Sequence, residues 1–229
     1  MTSLMFISGA GLPAWVWDRT RERLGLGSTV APRPTTAAGD VTDHAHAALA
    51  AAPSGPLAVV AHSAGGVVAS EVLRLAPHRV QAYLAVSAVV PAAGRSFVSS
   101  LPFPGRLVLP LVLRLAGTRP PEKALRESLA AGVDPALTQR LIEDFVPESR
   151  AYFTSRVGPT SAVGACGYLV TIDDRELPRS VQEGYARRLG CGVTGELPGG
   201  HLPMLHSPDA LADRIAAFLA AADLPSSAP

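Results

Sequence analysis

The sequence predicts an α/β domain with a mostly parallel sheet of about six strands flanked by helices, and three observations predict it. Short apolar runs alternate with helix-period segments over most of the chain, as when crossover helices join parallel strands. At residues 57–70 an apolar run passes through His62-Ser63-Ala64-Gly65-Gly66 into a small-residue helix, so strand, tight turn and helix follow without a linker. The 229 residues, 48% hydrophobic and 17% charged, suffice for one sizeable core and exclude a disordered chain.

In chain order, residues 4–7 form a first apolar strand, turned at Ser8-Gly9-Ala10-Gly11 before an amphipathic segment around Trp15, Trp17, Arg21 and Leu24. Residues 28–31 make a short second strand, 32–40 a proline- and glycine-containing loop, and 41–52 an alanine-rich helix capped by Asp40 or Thr42. The strand at 57–61, a helix at 64–76 and a strand at 80–87 come next. Residues 168–172 return to strand, 180–189 to helix ended by Gly190, 191–197 to a last strand, and 208–221 to a closing helix with Leu211, Ile215, Phe218 and Leu219 inward. Residues 224–229 read as a loose tail, and there is no internal repeat.

From Pro91 the pattern changes. Pro102, Pro104, Pro110, Pro120 and Pro121 interrupt any long element, while leucine and valine stay dense through 101–115. The expected organisation is therefore a core of residues 1–90 and 160–229 with a small helical lid, 91–159, inserted after the strand ending near Ser87. Helices are expected at 121–131 and 135–145. The apolar segment 107–116 is too short to span a membrane, and lid and Phe97, Phe103 and Phe153 together predict a pocket for a small apolar molecule.

A formal net charge of +1 offers no field to gather nucleic acid or anionic membrane, so binding is decided locally. Cys166 and Cys191 have no metal-ligand spacing and read as reduced core residues. His44, His46 and His78 fall on helix surfaces or ends, and no metal is expected. The apolar start lacks a basic region and breaks at Gly9, which favours a first strand over a secretory signal and leads to the expectation of a cytoplasmic protein. One lysine among many arginines, alanines and prolines points to GC-rich coding and a bacterial source.

A serine hydroxyl becomes a nucleophile when an imidazole takes its proton and a carboxylate orients that imidazole. Ser63 lies at a strand-to-helix turn, Asp173-Asp174 at the end of a later strand, and His201 in the glycine loop after the last one: the order Ser, acid, His at converging strand ends. Asp173 competes with Asp174, and His206 with His201, whose place beside Gly199-Gly200 favours it. The N–H groups of Ala10 and Ala64 are placed to receive a developing oxyanion. His62 points away from Ser63 and is assigned to packing or to a pocket wall, where it would touch substrate.

These residues resemble the α/β-hydrolase superfamily, most closely its small lid-bearing esterases and the methylesterase and hydroxynitrile lyase branch. The carriers are Ser8-Gly9-Ala10-Gly11 through Trp17, Ala61-His62-Ser63-Ala64-Gly65-Gly66, Asp174-Arg175-Glu176-Leu177-Pro178 and Pro198-Gly199-Gly200-His201. Two departures stand out: Ser8 where the family often has histidine, and Ala61 where it has glycine. The resemblance implies an α/β-hydrolase fold, Ser63 as nucleophile, His201 as base, Asp174 as its carboxylate, chosen over Asp173 for standing four residues before Pro178, and no cofactor. The implied activity is hydrolysis of a small apolar ester, lactone or thioester through an acyl-serine. A lyase or cyclase using His201 as base, in bacterial specialised metabolism, and a silent small-molecule binder are the alternatives.

Overall fold

A computed structural model describes residues 2–161 and 163–224. The expected tail at 224–229 therefore lies almost wholly outside the described residues. Six strands, β1 (Ser3–Ile7), β2 (Ser28–Val30), β3 (Leu57–His62), β4 (Val80–Val86), β5 (Ala165–Thr171) and β6 (Gly195–Leu197), form one sheet of order β2-β1-β3-β4-β5-β6. Every pairing is parallel. All strands therefore end on the same edge, the edge at which parallel sheets generally bind their ligands.

Alternation along each strand divides the core into two layers. Met5, Ile7, Val59, Ala61, Tyr83, Ala85, Tyr168 and Val170 face one side. Leu4, Phe6, Ala58, Val60, Leu84, Val86, Leu169 and Leu197 face the other. Burial on both faces is why β3 reads as a continuous apolar run.

The helices are α1 (Asp18–Leu24), preceded by a 3-10 turn at Ala14–Trp17, and α2 (Val41–Ala51) and α3 (Gly65–Leu75) in the first half. Between β4 and β5 lie α4 (Phe97–Ser100), α5 (Gly105–Leu115), α6 (Glu122–Ala124), α7 (Pro135–Asp144) and α8 (Arg150–Thr154). After β5 come α9 (Arg179–Leu189), α10 (Pro203–His206) and α11 (Pro208–Ala221). α2 packs with α3, and α1 with α11. Of the two expected caps for α2, Asp40 is the one used, its carboxylate accepting from the N–H groups of Thr42 and Asp43 in a capping box.

Several expected boundaries move. α5 runs through Pro110, which lies on its exposed face; the proline removes one backbone donor without ending the helix. Residues 191–194 do not extend β6, because Gly190 and Gly192 take positive φ and turn the chain first. β5 starts at Ala165 and stops at Thr171, leaving Ile172 42% exposed. The helix expected over 121–131 shortens to α6 and one π turn, Leu125–Leu129. α10, which begins two residues after His201, has no counterpart among the expected elements.

Candidate active site

The turn after β3 places Ser63 at φ 53°, a left-handed conformation that is strained for serine and persists only where the surroundings fix it. They do so by backbone bonds. Ser63 N–H donates to Ser87 O at 3.2 Å, and Ser63 O accepts from Val89 N–H at 3.0 Å. α3 then starts hard against the sheet: a Cβ on Gly65 would stand 2.5 Å from Ser8 O, and one on Gly66 2.5 Å from Val89 O. Two glycines after Ser63 are thus a steric requirement, whereas Ala61 is accommodated with no exposure.

Ser63 Oγ stands 2.8 Å from His201 Nε2, and His201 Nδ1 stands 2.7 Å from Asp174 Oδ2. Asp174 Oδ1 accepts from the N–H groups of Glu176 at 2.8 Å and Leu177 at 2.9 Å. Its Oδ2 also accepts from Thr171 Oγ1 at 2.9 Å and from the hydroxyl of Ser87. Burial pushes the Asp174 carboxyl upward, but the bond and charge of His201, the Leu177 N–H and the Ser87 hydroxyl outweigh it and hold the group well below the usual carboxylate range. An ionised Asp174 keeps the imidazole proton on Nδ1, so Nε2 presents its lone pair to Ser63.

The competing residues go elsewhere. Asp173 ties down the glycine turn: its N–H donates to Gly199 O at 3.0 Å, and its Oδ2 accepts from Gly199 N–H at 3.3 Å. His206 is exposed and packs against Gly199, where a Cβ would meet its ring at 2.5 Å.

Of the two roles expected for His62, packing is the one observed; it does not line the cavity, which corrects its assignment as a substrate contact. It is fully buried, its ring 4.8 Å from that of His201, and its Nε2–H donates to His201 O at 2.7 Å. Burial first, then the neighbouring His201, pushes its pKa down to about 3, so it is neutral and ties the backbone of the His201 loop to β3. The strand's alternation sends residue 62 beneath the sheet edge while Ser63 turns above it.

A cavity of about 290 Å³ opens over Ser63, with Gly9, Ala10, Ala64 and His201 at its floor. Phe97, Leu101, Leu109, Leu113, Phe145 and Phe153 form much of its wall. Phe103 does not: it is 69% exposed at the turn between α4 and α5, where Leu101 is the inward residue. α5 buries only one stripe, with Leu109 and Leu113 toward the cavity and Leu107, Val108, Leu111, Val112 and Leu115 toward solvent. Cys166 and Cys191 are unpaired and half-buried. Burial, with Cys166 close by, pushes the Cys191 thiol up to about 12. Among the described residues no group of His, Cys, Asp and Glu side chains could hold a metal ion.

Residues 4–214 match the alpha/beta hydrolase family. The chain belongs to that family. Its backbone superposes on an extracellular alpha/beta-hydrolase from a Paenibacillus species that shares structural and functional homology with tobacco salicylic acid binding protein 2. The TM-score is 0.82 at 19% identity, over 95% of this chain and 99% of that one. A pyrethroid hydrolase from Sphingobium faniae gives 0.73 at 24% identity over 98% of each chain. The Arabidopsis methylesterase MES16 gives 0.74 at 14% identity over 96% of this chain and 99% of that one. At these identities the likeness establishes the fold. No curated sequence matches the chain.

Two functional neighbourhoods lie outside the sequence reading. Ser87, with φ 42° and no exposure, adds a hydroxyl to Asp174 and lies 3.4 Å from His201 Nδ1. It stands at a strand end, the same signal that singled out Asp174. His44, expected on a helix surface, is buried beside Glu148, their nearest atoms 3.4 Å apart. Burial pushes its pKa below the ordinary histidine value.

Proposed function

We propose that the protein is a serine hydrolase of small apolar carboxylic esters, lactones or thioesters. The carrying observation is the unbroken line from Ser63 Oγ through His201 to the ionised Asp174, opening into an apolar cavity. In this reading Ser63 attacks the substrate carbonyl while His201 Nε2 takes its proton, and Asp174 steadies the imidazolium. The N–H groups of Ala10 and Ala64 receive the oxyanion. His201 returns the proton to the leaving alcohol or thiol, then draws one from the water that releases the acid and restores Ser63.

The β4–β5 connection acts as a lid, and the volume beneath it suits a small acyl or aryl group flanked by apolar walls. Glu176 at the rim gives the site one carboxylate away from the apolar walls. Esterase and methylesterase neighbours of the same fold support the ester reading. Incubation with a fluorophosphonate probe is expected to label Ser63, and short p-nitrophenyl esters to leave a transient acyl adduct visible by intact mass. Turnover of these esters without either adduct would remove the acyl-serine and leave proton transfer by His201 in its place.

A further inference from the structure

We propose that Glu148, in the β4–β5 connection, is a positioning residue that sets the oxyanion turn through Gly11. The inference rests on the serine-hydrolase reading of the site.

Gly11 N–H donates to Glu148 Oε1 at 3.2 Å, and Gly11 O accepts from Val146 N–H at 3.1 Å. The peptide planes on both sides of Gly11 are therefore held by one short segment of the connection. Only the two backbone torsions of Ala10 then separate a fixed plane from the Ala10 N–H, the group assigned to the oxyanion in the proposed reaction. Gly11 itself sits at φ +76°, and a Cβ there would stand 2.0 Å from the Phe145 ring, so the connection also closes against the turn sterically. Phe145 is at the same time part of the cavity wall.

Glu148 is itself pinned. Its Oε1 also accepts from Arg33 Nε at 2.8 Å, and its Oε2 faces His44 Nε2 at 3.4 Å. Arg33 Nη2 reaches Leu12 O at 3.4 Å and Val146 O at 3.3 Å, bracketing the same turn. A buried carboxylate is costly unless its oxygens are satisfied, and here the satisfying groups include the turn that must be held still. An oxyanion donor accelerates the reaction when it is preorganised, and a misplacement of about 1 Å costs on the order of 100-fold.

The test is kinetic, with wild type, Glu148→Gln and Glu148→Leu compared on a p-nitrophenyl ester after active-site titration with a fluorophosphonate. Leucine removes the acceptor: kcat is expected to fall about 10- to 100-fold with KM within about twofold. Affinity for a trifluoromethyl ketone, which forms the oxyanion, should fall by the same factor, while a carboxylic acid product binds as before. Glutamine keeps an acceptor for Gly11 and should recover most of kcat. An unchanged kcat in Glu148→Leu, or a raised KM at constant kcat, overturns the proposal in favour of a purely structural or pocket role. Should Glu148→Leu not fold, Arg33→Gln is read by the same split, with a loss confined to kcat of about 3- to 10-fold expected and no kcat loss overturning it. A wild-type protein whose Ser63 the probe never labels overturns the hydrolase reading itself, whereas labelling with wild-type kinetics in every variant overturns only the role of Glu148.

Discussion

The sheet edge and the β4–β5 connection meet over one cavity but are built differently. At the edge, the turns after β3, β4, β5 and β6 bring Ser63, Ser87, Asp174 and His201 together, Ser63 and Ser87 at positive φ and all four held by hydrogen bonds to one another. The connection consists of short helices, one of which turns a whole apolar stripe outward. In the proposed reading the edge sets the reaction type, and the connection sets what fits. The two are joined where Phe145, Val146 and Glu148 grip Gly11.

Changes at the edge should therefore act on chemistry with a severity the connection cannot match. Ser63→Ala is expected to lower kcat by about 10⁵- to 10⁶-fold with the fold intact, as judged by circular dichroism; retention of ester turnover would dissolve the distinction. Asp174→Asn comes next, at about 10⁴-fold in kcat, because the amide no longer holds the Nδ1–H tautomer. Asp173→Asn serves as its neighbour control and should change kcat less than about tenfold.

Stability separates the regions through matched glycines. Gly65→Ala drives a methyl into the Ser8 and Ile7 carbonyls, at 2.5 and 2.7 Å, and should destabilise by about 1–3 kcal/mol. In a chain of this size that lowers Tm by roughly 2–4 °C per kcal/mol. Gly105→Ala meets nothing nearer than 3.8 Å at the start of α5 and should raise stability by up to about 1 kcal/mol. Equal effects in thermal melts would mean that the elbow is no tighter than the connection.

The edge also carries a pH-dependent effect, at His62, whose folded pKa lies below its unfolded value. Between these values the unfolded chain binds the extra proton, so stability is greatest above about pH 6.5 and falls as pH drops toward about 3. Urea unfolding should show a loss of up to about 2 kcal/mol between pH 6.5 and 5. His62→Gln, keeping a donor for His201 O, should flatten most of that slope; an unaltered slope would assign it to other groups such as His44.

The sheet was legible because burial on both faces leaves apolar runs, and the glycines after Ser63 because a close backbone approach excludes any side chain. The three residues now in line were legible because each follows a strand. Glu148 was not: residues 146–149 carry no period, and the carboxylate gains its meaning from Arg33 and Gly11, more than a hundred positions away in chain order. Phe103 misled because aromatic content shows that a segment has an apolar side without showing which residue faces in. His62 and His201 illustrate the same limit. Both are buried histidines beside the serine, and only the backbone direction at the end of β3 decides which ring reaches the hydroxyl.

The parallel order of the sheet also gives the molecule an electrical polarity. A strand that ends at the edge hands the chain to a helix that begins there, and α3 starts two residues after Ser63. Its aligned peptide dipoles amount to roughly half a positive charge at that end. Negative charge developing above Ser63 thus enters a field supplied by the backbone alone. That field belongs to the backbone, so it persists through replacement of the Ser63, Asp174 or His201 side chain.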